Sequence, residues 1–180
     1  AVPGMGPRRI RALLRKFPEL EDITELSKSD LMQVEAISSD LAAKTMGIDL
    51  ELGKKAEDKT ASIGARYLTY WDSGYPEHLK TIYDAPVGIF VIGEIPQLPC
   101  LGIVGTRQPS HYGKKMVKLL NLGLIKAGFC IVSGFARGID TWAHKTVLKY
   151  NGNTIAVLGN GLDICYPGEN RKLGGIVIRN

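Results

Sequence analysis

Arg107 and Arg137 are the side chains around which chemistry can gather. They stand two and three positions beyond short apolar runs, in Gly105-Thr106-Arg107 and in Ser133-Gly134-Phe135-Ala136-Arg137-Gly138. A third apolar run ends in Gly159-Asn160-Gly161. Glycine lets a backbone approach a ligand closely and offer its N–H groups. A guanidinium presents forked donors that match phosphate oxygens. Where such a loop enters a helix, the helix start adds a fixed partial positive charge worth ~0.3–1 kcal/mol to an anion. These residue types therefore suit an anionic ligand. The plainer reading is that the glycines only make tight turns and each arginine pairs with a local carboxylate; it weakens when two neighbouring loops carry the same chemistry.

Other chemistries find less support. No GxGxxG follows the first apolar run, and SGFARG stands where a dinucleotide site would carry an acidic residue. GxxxxGK[ST] and HExxH are missing, and His78, His111 and His144 are scattered. His144, in the helix DTWAHKTVL beside Trp142, reads as a packed structural histidine. Ser133 lacks a GxSxG setting and a nearby base, so it is a poor nucleophile. Asp140 is expected to cap its helix, a role worth ~1 kcal/mol, and Ser110 to cap the helix after it. Nothing forms an acid–base pair, so the expectation is a binding protein with no catalytic residues, no cofactor and no metal.

The elements that must position these loops follow from the pattern of residues 101–180. LGIVG, CIVSG and TIAVLG are short apolar strands, separated by HYGKKMVKLLNLGLIKAG, with Met116, Leu120 and Leu124 on one stripe, and by DTWAHKTVLKY. Continuous apolar strands alternating with helices predict a Rossmann-like α/β fold: a mostly parallel sheet with helices on both faces. Ligands bind such sheets at the carboxyl ends of the strands, where the three glycine-bearing loops lie.

Upstream, residues 1–60 predict a small helical module. RRIRALLRKF carries Ile10, Leu13, Leu14 and Phe17 at helical spacing and ends at Pro18; Ser29 and Ser38 or Ser39 are candidate caps further on. Gly4-Met5-Gly6 resembles the hairpin of a helix-hairpin-helix element, whose amides can hold a phosphate. Residues 61–100 read as a strand-containing lead-in punctuated by prolines, whose strand VGIFVIG is placed to extend a sheet.

Composition narrows the partners. The 180 residues are 44% hydrophobic and 23% charged, as in ordinary globular proteins, with no apolar run of membrane-spanning length. The net charge is +5, and residues 101–180 hold 11 Lys and Arg against 3 Asp and Glu. A basic excess confined to the segment with the arginine loops points to a polyanion, nucleic acid above all. Three cysteines without CxxC spacing argue against a disulfide framework or a zinc site. The N-terminus lacks a secretory signal, and the protein is expected in the cytoplasm.

GIVGTRQPSHYG, IVSGFARGIDTWAH and TIAVLGNGLDICYPGEN together resemble the DNA-processing protein A (DprA/Smf) family, and PGMGPRRIRALL and YWDSGYPEHLKTIYDAPVGIFVIGE are similar to its N-terminal module and lead-in. The resemblance runs to about Leu173. It implies a non-catalytic protein that binds single-stranded DNA, protects it during natural transformation and loads a RecA-type recombinase, with a homodimer as a family trait. It also implies a phosphate pocket at Gly105, Thr106, Arg107, Ser133, Gly134, Arg137 and Gly138, with a further contact from Arg171 or Lys172. The family continues past this point, whereas here RKL passes into GGIVIRN, which resembles the next strand without its crossover helix; the Rossmann-like domain is therefore expected to be C-terminally truncated or internally deleted, without its dimer and recombinase contacts. The alternative function is a pocket that binds or processes a nucleotide-derived small molecule. An extended strand needs a basic track, which Lys114, Lys115, Lys118, Lys145 and Lys149 are placed to supply; a small ligand needs only the arginines.

Overall fold

The structure is a computed structural model that describes residues 2–20 and 22–179. The chain divides into two compact units: residues up to Ser62 with Arg66–Phe90, and Ile63–Ala65 with the residues from Val91 on. The lead-in makes no unit of its own, because its strands and turns are shared between the other two.

The first unit begins with α1 (Pro7–Lys16), where Pro7 supplies a pre-set φ at a position that needs no N–H donor. α2 (Lys28–Met32), α3 (Ser39–Met46) and α4 (Leu50–Ser62) follow. Leu13, Leu31, Val34, Ile37, Leu41 and Ala42 form the core of this helical group. Ser38 caps α3 as expected, but α2 is capped by Ser27 and not Ser29: the Ser27 Oγ accepts from the Asp30 N–H, and the Asp30 carboxylate accepts from the Ser27 N–H. Before α1, Gly4-Met5-Gly6 forms a turn in which the Met5 N–H donates to the Val2 carbonyl.

β1 (Arg66–Thr69) pairs with β2 (Gly88–Val91) in a two-stranded sheet, with the short α5 (Glu77–Lys80) between them. The strand in VGIFVIG is thus real, and the sheet it joins is this two-stranded one. Gly88 leaves room for the Tyr67 ring, which a Cβ there would strike at 2.2 Å. Once seated there, Tyr67 also meets Phe90 at 4.9 Å between ring centroids, which makes β1 the partner of β2.

The second unit is the expected parallel sheet. β3 (Cys100–Gly102), β4 (Cys130–Ser133) and β5 (Thr154–Ala156) lie in the order β3-β4-β5, with Leu101 opposite Ile131 and Val132 opposite Ile155. α6 (His111–Lys126) and α7 (Ile139–Lys149) make the crossovers, and α8 (Arg171–Val177) packs on α7 and β5. Strands added in sequence with right-handed crossovers put both crossover helices on one face. There they enclose Ile103, Val117, Ile131, Ile139, Ala143 and Val147. Val117, Asn121, Leu124 and Ile125 are the residues of α6 that turn inward; of the expected stripe Leu124 packs on the core, Met116 is half-buried and Leu120 is 53% exposed. The Asn121 Nδ2 donates to the Ala143 carbonyl at 3.0 Å and fixes the register of α6 against α7.

The strand expected in GGIVIRN is corrected: the heptad continues the helix Arg171–Val177, and its last residue lies outside the described residues. No helix among the described residues is long and apolar enough to cross a membrane.

Candidate functional site

The loops after β3 and β4 interlock. The Ile139 N–H, in the first turn of α7, donates to the Thr106 carbonyl at 3.0 Å. Gly138 has φ 84° and ψ −128°, a conformation essentially reserved for glycine. A Cβ there would sit 2.1 Å from the Thr106 oxygen and 2.6 Å from the Arg107 Cα. Gly105 in turn lies against Ile139, whose Cγ1 a Cβ would meet at 2.7 Å. What approaches both glycines closely is the other loop, and the interlock brings Arg107 and Arg137 to one hollow, whose lining includes Gly138.

Arg107, Pro109, Lys114, Arg137, Trp142 and Lys145 line one hollow of about 340 Å³. Arg107 has no hydrogen bond or ion pair to any described residue. Arg137 is held by Glu169: its Nε donates to Oε1 at 2.6 Å and its Nη2 to Oε2 at 3.0 Å, with the Tyr166 ring 5.9 Å away. These hydrogen bonds, more than the bare charge, lower the Glu169 carboxyl below its ordinary range and raise the Arg137 guanidinium. Both side chains stay about half exposed, so the pair is a surface contact that an arriving anion can reach. The carboxylate expected under the plainer reading exists for Arg137 and not for Arg107.

Asn170 pins the second loop from beneath. Its Nδ2 donates to the Phe135 carbonyl at 3.0 Å and to the Thr141 Oγ1 at 2.8 Å, while Thr141 donates to the Ala136 carbonyl at 2.6 Å. Phe135 is buried with φ 61°, an uncommon conformation for a bulky residue, and these bonds hold it. Neither Glu169 nor Asn170 was marked by sequence reasoning. Their only signal was the YPGEN stretch itself, thirty residues from the loop they serve.

The remaining site residues are dispersed. Ser133 is buried and its hydroxyl donates to the Ile103 carbonyl at 2.6 Å, so it braces β4 to the chain after β3 and does not face the hollow. Gly134 is exposed beside the Asp140 carboxylate. Asp140 is not the cap of α7: Gly138 holds that position without a side-chain cap, and the Asp140 carboxylate, in the first turn, accepts from the Ala136 N–H at 3.4 Å. Ser110 caps α6 as expected, accepting from the Gly113 N–H. Arg171 and Lys172 open α8, exposed, next to Asn170 but outside the residues lining the hollow. Asn160 folds its own loop, donating to the Gly161 and Ile164 carbonyls.

His144 is the packed histidine the sequence suggests. Its Nδ1 meets the Thr154 Oγ1 at 2.8 Å, and Thr154 itself donates to the Ile131 carbonyl, so Nδ1 carries the proton. Burial pushes its pKa down to about 4, against the smaller opposing pull of Asp140. Of the thiols, Cys130 is buried, Cys165 half-buried and Cys100 exposed. Burial, with neighbouring Cys100, pushes the Cys130 thiol up to about 12. Among the described residues no group of three or more His, Cys, Asp or Glu could hold a metal ion.

The five lysines singled out in the sequence come together. Lys114, Lys115 and Lys118 of α6 face Lys145 and Lys149 of α7 across a furrow floored by Trp142 and Tyr150.

Comparison with known proteins gives a consistent answer. The family model described as DNA recombination-mediator protein A matches residues 66–180. Protein Smf of Synechocystis is 36% identical over 179 residues, covering 96% of this chain and 45% of that protein. DNA processing protein DprA of Streptococcus pneumoniae is 46% identical over 104 residues, covering 57% of this chain and 36% of that protein. The X-ray structure of the Streptococcus pneumoniae protein superposes with a TM-score of 0.81 at 31% identity, over 98% of this chain and 61% of that one. A structure of DNA processing protein A from Helicobacter pylori, which describes that protein's single-stranded DNA binding mode, has a TM-score of 0.54 at 30% identity, over 63% of this chain and 52% of that one. The chain thus spans less than half the length of these curated relatives.

Proposed function

The chain belongs to the DNA recombination-mediator protein A family, and we propose that it binds single-stranded DNA through the hollow shared by Arg107 and Arg137 and delivers it to a RecA-type recombinase. The observation that carries this reading is the interlock of the two loops, which commits a free guanidinium and a second, exchangeable one to the same hollow. Lys114 and Lys145 on its wall add charge, and Arg171 and Lys172 at the start of α8 extend it along the surface. Gly105 and Gly138 act by keeping the loops in contact, and Ser133 by bracing the strand beneath them. The family's name and the DNA-binding mode described for the Helicobacter pylori protein support the ligand and the role in recombination. We read the act as binding without catalysis: His144 is buried and neutral, and the Ser133 hydroxyl is turned to the Ile103 carbonyl.

Fluorescence anisotropy with single-stranded oligonucleotides tests this. The logarithm of affinity should fall with the logarithm of salt at about −0.7 per phosphate neutralised, hence about −2 for three cations. Arg107→Ala and Arg137→Ala should each lower the affinity for every base composition and reduce that slope by about 0.7. A salt-independent affinity, a strong base preference, or full binding by Arg107→Ala overturns the assignment. A mononucleotide that displaces the oligonucleotide stoichiometrically would favour the small-ligand alternative. Delivery to the recombinase is read separately, as faster filament assembly on strands covered by single-strand-binding protein.

A further inference from the structure

The furrow between α6 and α7 is not a balanced, solvated face. Elsewhere in the molecule three helical lysines have acidic partners one turn away: Lys44 with Asp40, Lys54 with Glu51, Lys80 with Glu77. None of the five furrow lysines forms an ion pair with a described carboxylate. The one acidic residue of the two helices, Asp140, is buried and turned to the Ala136 N–H. Uncompensated like charge destabilises a compact chain, and a polyanion relieves it. The rings are placed for the same partner. The Lys114 Nζ lies 5.4 Å from the centre of the Trp142 ring, and Lys118 and Lys149 each lie 6.0 Å from that of Tyr150. Ammonium groups beside aromatic faces along a groove are what single strands use, phosphates on the cations and bases on the rings.

Lys114, Trp142 and Lys145 line both the furrow and the arginine hollow, so the two form one surface. From Gly138 to Tyr150 the track follows α7 for about 18 Å at the rise of a helix.

We propose that this furrow carries the continuation of the single strand out of the hollow, its phosphates on the lysine rims and successive bases against Trp142 and Tyr150. The inference rests on the single-stranded DNA reading of the hollow, and the test separates the two. Thymidine oligonucleotides of about four and about sixteen nucleotides, the range of single-strand site sizes, serve as probes. Lys118→Gln with Lys149→Gln should leave the short probe's affinity within about twofold, weaken the long probe about tenfold at low salt, and reduce its salt slope by about 1.4. Tyr150→Ala should weaken only the long probe, about fivefold or more, without altering the slope. In a Trp71→Phe background, which leaves Trp142 as the sole tryptophan, only the long probe should quench its fluorescence fully.

Equal losses at both lengths, no loss at either, or a duplex of the same length competing equally well overturn the furrow. If Arg107→Ala binds normally while the lysine and tyrosine variants fail, the hollow falls and the furrow stands. If neither probe binds the wild-type chain, both fall.

Discussion

Glu169 shows how much a single distant residue decides. Its carboxylate occupies the two guanidinium donors of Arg137 that a phosphate would use, so the ligand-free site carries its own anion. Glu169→Gln keeps the size and one acceptor while removing the competing charge. It is expected to tighten oligonucleotide binding by roughly two- to fivefold, in keeping with the small worth of an exposed pair; unchanged or weaker binding in anisotropy would mean that the carboxylate orients the arginine more than it blocks it. His144 makes a different prediction, about stability. Its folded pKa of about 4 lies below the ordinary 6.5, so between those values the unfolded chain takes up a proton that the folded chain refuses. Stability therefore falls as pH drops through that window, by about 2 kcal/mol between pH 7 and pH 5 for this one group. His144→Asn retains a donor for Thr154 and cannot titrate, so its urea midpoint should shift less over the same range than that of the wild type. Parallel shifts would place the pH sensitivity elsewhere.

Among the elements, the strand–helix alternation of the second unit was legible because each apolar run is short, continuous and closed by glycine, and both crossover helices begin within a residue or two of where the pattern turns. Three things were not. The stripe of α6 was legible at Leu124 and not at Leu120, since Met116, Leu120 and Leu124 share a helical face as well as Val117, Asn121 and Leu124 do, and the contact of Asn121 with Ala143 decides between them. The Ile176-Val177-Ile178 run suggested a strand, but it keeps its local i, i+4 bonds and packs as a helix on α7 and β5, leaving the β5 edge unpaired among the described residues. The loop glycines showed that space was needed and not what filled it. That last point is testable. Gly138→Ala places a methyl group into the Thr106 carbonyl in a backbone region costly for any other residue, and should destabilise the chain by about 2 kcal/mol or more in urea unfolding while weakening DNA binding with both arginines intact. Gly159→Ala, where a Cβ would meet nothing within 4 Å, is the control and should be near neutral.

For the whole molecule, two cores mean two separable stabilities. Leu31 is fully buried in the helical unit and Ile131 in the sheet unit. Truncating either to alanine removes about 2–5 kcal/mol from its own unit, but only Ile131→Ala should carry oligonucleotide binding down with it; loss of binding in Leu31→Ala at a temperature where the sheet unit remains folded would give the helical unit a direct part in the site. The interlocked loops, finally, act as a ruler. The interval between the backbone positions that carry the two cations is written in main chain, through Gly105, Gly138 and one amide-to-carbonyl bond. An inhibitor of this protein is therefore to be sought among backbones and not among nucleobases: an abasic phosphodiester chain keeps the graduation the ruler measures, whereas a peptide nucleic acid bearing every correct base offers it nothing to grip.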